Sequence, residues 1–499
     1  MTKPDNLTAV KSLKPAAVWR YFAGIAAVPR PSKQEEQIRA HMRALGQELG
    51  FKVREDRVGN MVLEVPAKPG CERAPLTVLQ GHLDMVCEKN AGTQHDFDRE
   101  GIRLIVEQDA QTGEQVVRGD GTTLGADNGI GLAMALAAAT SPDVKHGPLE
   151  ILCTIDEEMG MTGAGALEPG FFHGQRLINL DSEDDHVIYI GCAGGGDATL
   201  TWEFKTRPIE AGLEIGCVSV SGLRGGHSGG DIHENRANAN KVLVRTLSAA
   251  DVTGVRIVSI TGGSKRNALA REAQAVVAAP RETLAALRRS AADVCEAVKR
   301  ESAEPNAAIT IESGQGAAAV SVEDTQRLLR ALMALPHGVL EMHQKVAGLV
   351  QTSSNVGTIV CEPFDGQGGL RVVVGNLSRS SMPGRIAATW AQIAAVGQLA
   401  GAIVKTGNQY PGWNPNPDSP LLKKCSGIYE RLFGEKPNVT AVHAGLECGI
   451  IGERVGKLDM VSIGPRITGP HSPDERTYPA SVEKTYKFLT AILAELAQG

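Results

Sequence analysis

The stretch LEILCTIDEEMG, residues 149–160, carries an apolar, β-branched run onto Asp156, Glu157 and Glu158. Adjacent carboxylates at the end of a buried strand repel one another and resist ionisation, so opposite charge must compensate them. Similar groups recur elsewhere. His82 and Asp84 follow TVLQ, Asp181 follows RLINL, and His471 follows DMVSI within GPRITGPHSPDE. Asp127, in GADNG, stands just before the Ala- and Leu-rich stretch NGIGLAMALAAAT. Taken singly, each has an ordinary reading as a packed histidine, a helix N-cap or a solvated acidic loop. Taken together, they form a metal-ligating set of two imidazoles and three carboxylates: His82, Asp127, Glu158, Asp181 and His471.

Two divalent ions balance three carboxylates and one shared hydroxide. Nitrogen and oxygen donors without thiolate suit zinc, manganese or cobalt. An even division of ligands requires one carboxylate to bridge the ions, and Asp127 is the candidate. Asp84, two residues past His82, is close enough to orient that ligand through its other ring nitrogen. Glu157, beside ligand Glu158, can take the proton of the shared water as general base. The chemistry expected is attack of a metal-bridging hydroxide on a carbonyl, without a covalent enzyme intermediate.

Positioning these groups requires short strands that end at a common edge. PLTVLQ, LEILCTI, RLINL and DMVSI read as such strands, alternating with helical segments. That alternation predicts an α/β fold with a mainly parallel central sheet flanked by helices, whose sites lie beyond the carboxyl ends of the strands. Residues 15–27 read as a helix. Ser32, with Glu35 three residues on, has the capping-box signature for a second helix running to about Gly50. FKVREDRVGNMVLEV reads as two strands around a Val-Gly-Asn turn. From about residue 197 the texture changes to alternating strands and two amphipathic helices, RETLAALRRSAADVCEAVKRES and VEDTQRLLRALMALP. The expected organisation is a catalytic domain in two parts, 1–196 and 406–499, with an inserted α+β lid domain at 197–405.

Composition narrows the function class. The chain has 499 residues, 42% hydrophobic and 22% charged, with formal net charge −6. The negative balance argues against a nucleic-acid partner. No apolar run reaches the length of a membrane span. The start, MTKPDNLTAVKSLKP, has no signal-peptide pattern, so the cytoplasm is the expected compartment. The nine cysteines form no C-x-x-C pair and read as reduced thiols.

The insert adds a second group of interest. In GLRGGHSGGDIHENRANANK, His227 lies between glycine pairs that let the backbone approach a partner closely. SKRNALARE contains Asn267, and NLSRS contains Arg379 after a strand. An arginine can bind a carboxylate bidentately, although an arginine so placed is also commonly a surface residue. Jointly, HLDMV, GTTLGADNGIG, DEEMGMTGA, INLDSE, GGHSGG, RNALARE, HAGLECG and SIGPRITGPHSPDE resemble the co-catalytic zinc peptidases and deacylases, a family that includes aminoacylases and glutamate carboxypeptidases. The likeness is to the histidine-dipeptidase branch and spans nearly the whole chain. It implies two zinc ions on the five ligands, with Asp127 bridging and Asp84 and Glu157 as the catalytic pair. It also implies that His227 polarises the scissile carbonyl, and that Arg379 and Asn267 contact the substrate, Arg379 at its C-terminal carboxylate. The implied reaction is cleavage of Xaa-His and related dipeptides. Asn128 stands where many relatives carry a second acid, a feature this branch shares. The long insert leaves open both a homodimer and a chain that is sufficient alone. An N-acyl amino acid deacylase on the same site, and a binding protein on a retired scaffold, are the competing readings.

Overall fold

A computed structural model of the chain describes residues 5–109, 112–249, 252–364, 366 and 368–498. The chain divides into two compact units. One comprises residues up to Gly191, Trp413–Ala441 and the residues from Leu446 onward; the other comprises Cys192–Gly412 and Val442–Gly445.

The first unit is built on an eight-stranded sheet. Its strands are β1 (Lys52–Glu55), β2 (Met61–Val65), β3 (Thr77–His82), β4 (Leu149–Thr154), β5 (Arg176–Asn179), β6 (Val187–Cys192), β7 (Asn438–Val442) and β8 (Asp459–Ser462). Their order across the sheet is β1-β2-β4-β3-β5-β8-β6-β7. The central pairs β4–β3, β3–β5 and β5–β8 are parallel, whereas β1–β2, β2–β4 and β8–β6 are antiparallel. Strands β3 and β4 are buried along their whole length, as expected of parallel strands covered on both faces. Their carboxyl ends, with that of β5, lead directly into His82, Asp156–Glu158 and Asp181.

Helix Ala126–Thr140 packs close to helix Ala16–Ala26, whose Trp19, Phe22 and Ile25 are fully buried. Small residues permit this approach: a methyl at Gly129 would stand 3.1 Å from Phe22 Cε2. At the start of the same helix, Asp127 and Asn128 have non-helical backbone angles. The Asn128 amide donates to the Leu180 carbonyl at 2.7 Å, tying the segment that carries Asp127 to the end of β5.

The expected capping box is not what forms. The second helix runs Glu36–Glu48 without a side-chain cap, and Gly50 follows it at φ +76°. The Ser32 hydroxyl donates instead to Asp84 Oδ2 at 2.8 Å. Glu35 Oε1 accepts the amides of Lys33 (2.7 Å) and Asp156 (3.1 Å). Both side chains are drawn from the helix end to the loops beyond β3 and β4.

The second unit contains a ten-stranded sheet with its own core, including Leu200, Trp202, Val218, Ile257, Val277 and Val372. Three long antiparallel strands, Gly194–Pro208, Val350–Phe364 and Gly369–Ser380, form its middle, and Ile403–Tyr410 pairs with the first of them. The two amphipathic helices lie at Arg281–Glu301 and Val322–Ala334. Among the described residues, no helix is long and apolar enough to cross a membrane.

Candidate metal centre

All five candidate ligands belong to the first unit, and five separate segments of the sequence bring them together. His82 Nδ1 donates to the Asp84 carbonyl at 3.1 Å, which turns Nε2 toward the acids. His82 Nε2 lies 2.9 Å from Asp127 Oδ1 and 3.2 Å from Asp181 Oδ1. His471 Nε2 lies 3.2 Å from Asp127 Oδ2 and 2.9 Å from Glu158 Oε2. Asp127 thus turns one oxygen to each histidine. The set resolves into two clusters that share it: His82 with Asp181, and His471 with Glu158. Donors around one tetrahedral ion with bonds of about 2.0–2.1 Å stand about 3.3 Å apart, close to these spacings.

Unsatisfied atoms support the fit. His82 Nε2 carries at most one hydrogen, and that hydrogen points to Asp127, so Asp181 Oδ1 is buried without a hydrogen-bond partner. Glu158 Oε1 is likewise buried and unpartnered. Buried carboxylate oxygens are costly in that state and call for a cation. Burial, followed by the charge of Asp127, pushes Asp181 up to about 8 and raises Glu158. Hydrogen bonds to Asp127 and Glu158 drive the His471 imidazole up to about 11. Burial opposes charging His82, yet Asp181 and Asp127 hold it well above its ordinary value. The acids therefore already gather positive charge, and a divalent ion at either cluster would take the place of a proton.

The catalytic pair is held by the same loops. Asp84 Oδ1 accepts the Glu157 amide at 3.0 Å, and Asp84 Oδ2 accepts the Glu158 amide at 3.2 Å. Asp84 thereby fixes His82 through its backbone carbonyl and the backbone of both glutamates through its carboxylate. Burial disfavours ionising Asp84, but His82 and the Glu157 amide hold it at about 2. Glu157 is raised well above an ordinary carboxylate by burial; Asp181 and Glu158 add to the rise while His82 opposes it.

Several supporting residues were not singled out by sequence reasoning. Glu475 accepts the amides of Leu124, Gly125 and Ala126 at 2.7–2.9 Å, clamping the turn that leads into Asp127. Arg30 is buried and donates to the carbonyls of Leu83, Asp84 and Gly125. Its charge also faces Glu475, Asp84 and Asp127. Glu447 is fully buried, and its Oε2 accepts from Gln80 and Thr154, both at 2.6 Å. Glu183 is pushed up to about 8 by burial and by the charges of Asp127 and Asp181. Glu475 and Glu447 were visible within the quoted SPDE and HAGLECG stretches, but only the folded chain shows what they hold.

The second unit gathers its own polar group. Gly226 and His227 pair antiparallel with Leu269 and Ala268, and the Ser228 amide donates to the Asn267 carbonyl at 2.8 Å. This places Asn267 beside His227, with its side chain exposed. The Gly230 amide donates to His227 Nδ1 at 3.0 Å, leaving the other ring nitrogen, Nε2, facing Arg379. That nitrogen lies 3.2 Å from Arg379 Nη2. A guanidinium only donates, so Arg379 directs an N–H at this ring nitrogen, and the two side chains stand together as a group suited to a carboxylate or an oxyanion. Arg379 is only 5% exposed. It also donates to two neutral hydroxyls, Tyr410 Oη at 2.8 Å and Ser228 Oγ at 3.4 Å.

Residues 78–495 match Peptidase family M20/M25/M40. The chain belongs to this family. It is 40% identical over 494 residues to the cytosol non-specific dipeptidase of Escherichia coli (strain K12), covering 98% of this chain and 99% of that one. The aminoacylhistidine dipeptidase from Vibrio alginolyticus, a solved structure, superposes with a TM-score of 0.86 at 41% identity, covering 97% of this chain and 98% of that one. A tripeptidase from Staphylococcus aureus superposes with a TM-score of 0.55 at 15% identity over 98% of this chain and all of the other, a likeness of fold alone. The mixed α/β architecture of the chain is thus that of an M20-family hydrolase.

Proposed function

We propose that the chain is a metal-dependent dipeptidase that hydrolyses free dipeptides, Xaa-His among them. The observation that carries this reading is Asp127, whose two carboxylate oxygens face two separate histidine–carboxylate pairs. His82 and Asp181 would hold one divalent ion and His471 and Glu158 the other, with Asp127 shared and zinc, manganese or cobalt as candidates. Bound there, the ions would supply positive charge to acidify water and polarise a carbonyl.

The chain's own residues then have distinct tasks. Glu157 takes the water's proton at its carboxylate and returns it to the leaving amine, and its raised affinity for a proton suits that exchange. Asp84 keeps His82 and Glu157 in place. His227 steadies the oxyanion, Arg379 binds the substrate's C-terminal carboxylate, and Asn267 adds a contact near His227. The cytosolic name of the Escherichia coli relative and the reduced cysteines support a cytoplasmic location. A homodimer and a self-sufficient single chain are the two assemblies the long insert leaves open.

Hydrolysis of β-Ala-His, Gly-His and Gly-Leu, each free and N-acetylated, tests the substrate class. Cleavage of the free forms with the acetylated forms spared is the expected result. Cleavage of the acetylated forms alone would move the function to deacylation.

A further inference from the structure

The second unit's sheet places four residues in one row across four strands. Ser353 pairs with Arg379, Arg379 with Gly195, and Gly195 with Tyr410. Residues directly opposite one another in antiparallel strands project from the same face. Gly195 has no side chain, so Arg379 and Tyr410 meet across it, and Arg379 Nη1 donates to Tyr410 Oη at 2.8 Å. A methyl at Gly195 would lie 2.4 Å from Tyr410 Oη, so this strand position must stay bare for the contact to form.

The phenol accepts from Arg379 and keeps its own hydrogen to donate. Arg379 Nη2 donates toward His227 Nε2 at 3.2 Å, so phenol, guanidinium and imidazole stand together. Burial raises the Tyr410 hydroxyl above its ordinary value, so it stays a donor at neutral pH.

We propose that Tyr410 is a substrate-binding residue, which fixes the Arg379 fork and donates its own hydroxyl hydrogen to the C-terminal carboxylate of the dipeptide. The proposal rests on the reading of Arg379 as the carboxylate ligand. It extends that ligand from one side chain to a built group in which the bare strand position at Gly195 is a required part.

The test compares wild type, Tyr410→Phe, Gly195→Ala and Arg379→Ala on a free dipeptide and on the same dipeptide amidated at its C-terminus. Tyr410→Phe keeps the ring, so the fold is retained and only the hydroxyl is lost. A hydrogen bond to a charged group is worth about tenfold or more in binding. Tyr410→Phe should therefore raise KM for the free dipeptide about tenfold, with kcat changed less than about twofold, and leave kcat/KM for the amide near its wild-type value. Gly195→Ala should show the same bias against the free dipeptide. If Tyr410→Phe lowers both substrates equally, or lowers kcat at unchanged KM, the proposal is wrong. If Arg379→Ala discriminates between the substrates and Tyr410→Phe does not, Tyr410 is excluded and the Arg379 reading stands. If Arg379→Ala itself fails to discriminate, both readings fall.

Discussion

Replacing Glu157 with alanine removes the acid proposed to carry the proton while leaving every candidate metal ligand in place. Turnover should fall about 10²–10⁴-fold, with metal content per chain unchanged. Substantial residual hydrolysis at full metal loading would rule out Glu157 as the base. The residues of this centre were legible because each follows the end of an apolar strand or precedes a helix, and chemistry limits what five such groups can share. Ser32 and Glu35 were misread for the opposite reason. Their spacing satisfies a local helix-capping rule, but Asp84 and the Asp156 amide compete for the same side chains. Those competitors lie far away in sequence, so no local pattern announces them.

At the scale of elements, the loops beyond β3, β4 and β5 work as a clamped set. Glu475 holds the turn before Asp127, Arg30 ties Gly125 to the loop after β3, and Asp84 fixes the start of the Glu157 turn. In the second unit, the segment Val442–Gly445 is fastened by the Ala193 amide, which reaches the carbonyls of Val442 and Ala444. His443 Nε2 lies 2.7 Å from Ser353 Oγ, and the ring also bonds the backbone of Val350. Burial, then the charges of Arg379, His227 and His233, depresses His443 to about 3. An unfolded histidine titrates near 6.5, so below that pH the unfolded chain binds the proton first. The stability this neutral ring contributes is present above about pH 6.5 and is lost as pH falls toward 3, by about 1.4 kcal/mol per pH unit. His443→Gln keeps a side-chain hydrogen bond to Ser353 but cannot titrate. Its deficit in melting temperature relative to wild type should therefore narrow between pH 7 and pH 4, as followed by thermal unfolding. A constant deficit across that range would show that His443 carries no differential proton binding. None of this was legible in HAGLECG, where the histidine read only as part of a resemblance.

For the whole molecule, the expected α/β class and the parallel centre of the first sheet follow from short apolar runs alternating with helical ones. The antiparallel outer strands do not, because an edge strand buried on one face and a central strand can share the same short apolar pattern. The ligands run from His82 to His471, so metal binding links segments from nearly the whole sequence and should be inseparable from activity. The most direct measurement is a calorimetric titration of chelated protein with zinc, manganese or cobalt, with hydrolysis of Gly-His followed at each addition. Two equivalents bound per chain, with activity absent in chelator and restored as the sites fill, is the result the shared Asp127 carboxylate predicts. A single equivalent at saturation, or full hydrolysis with no metal bound, would contradict it.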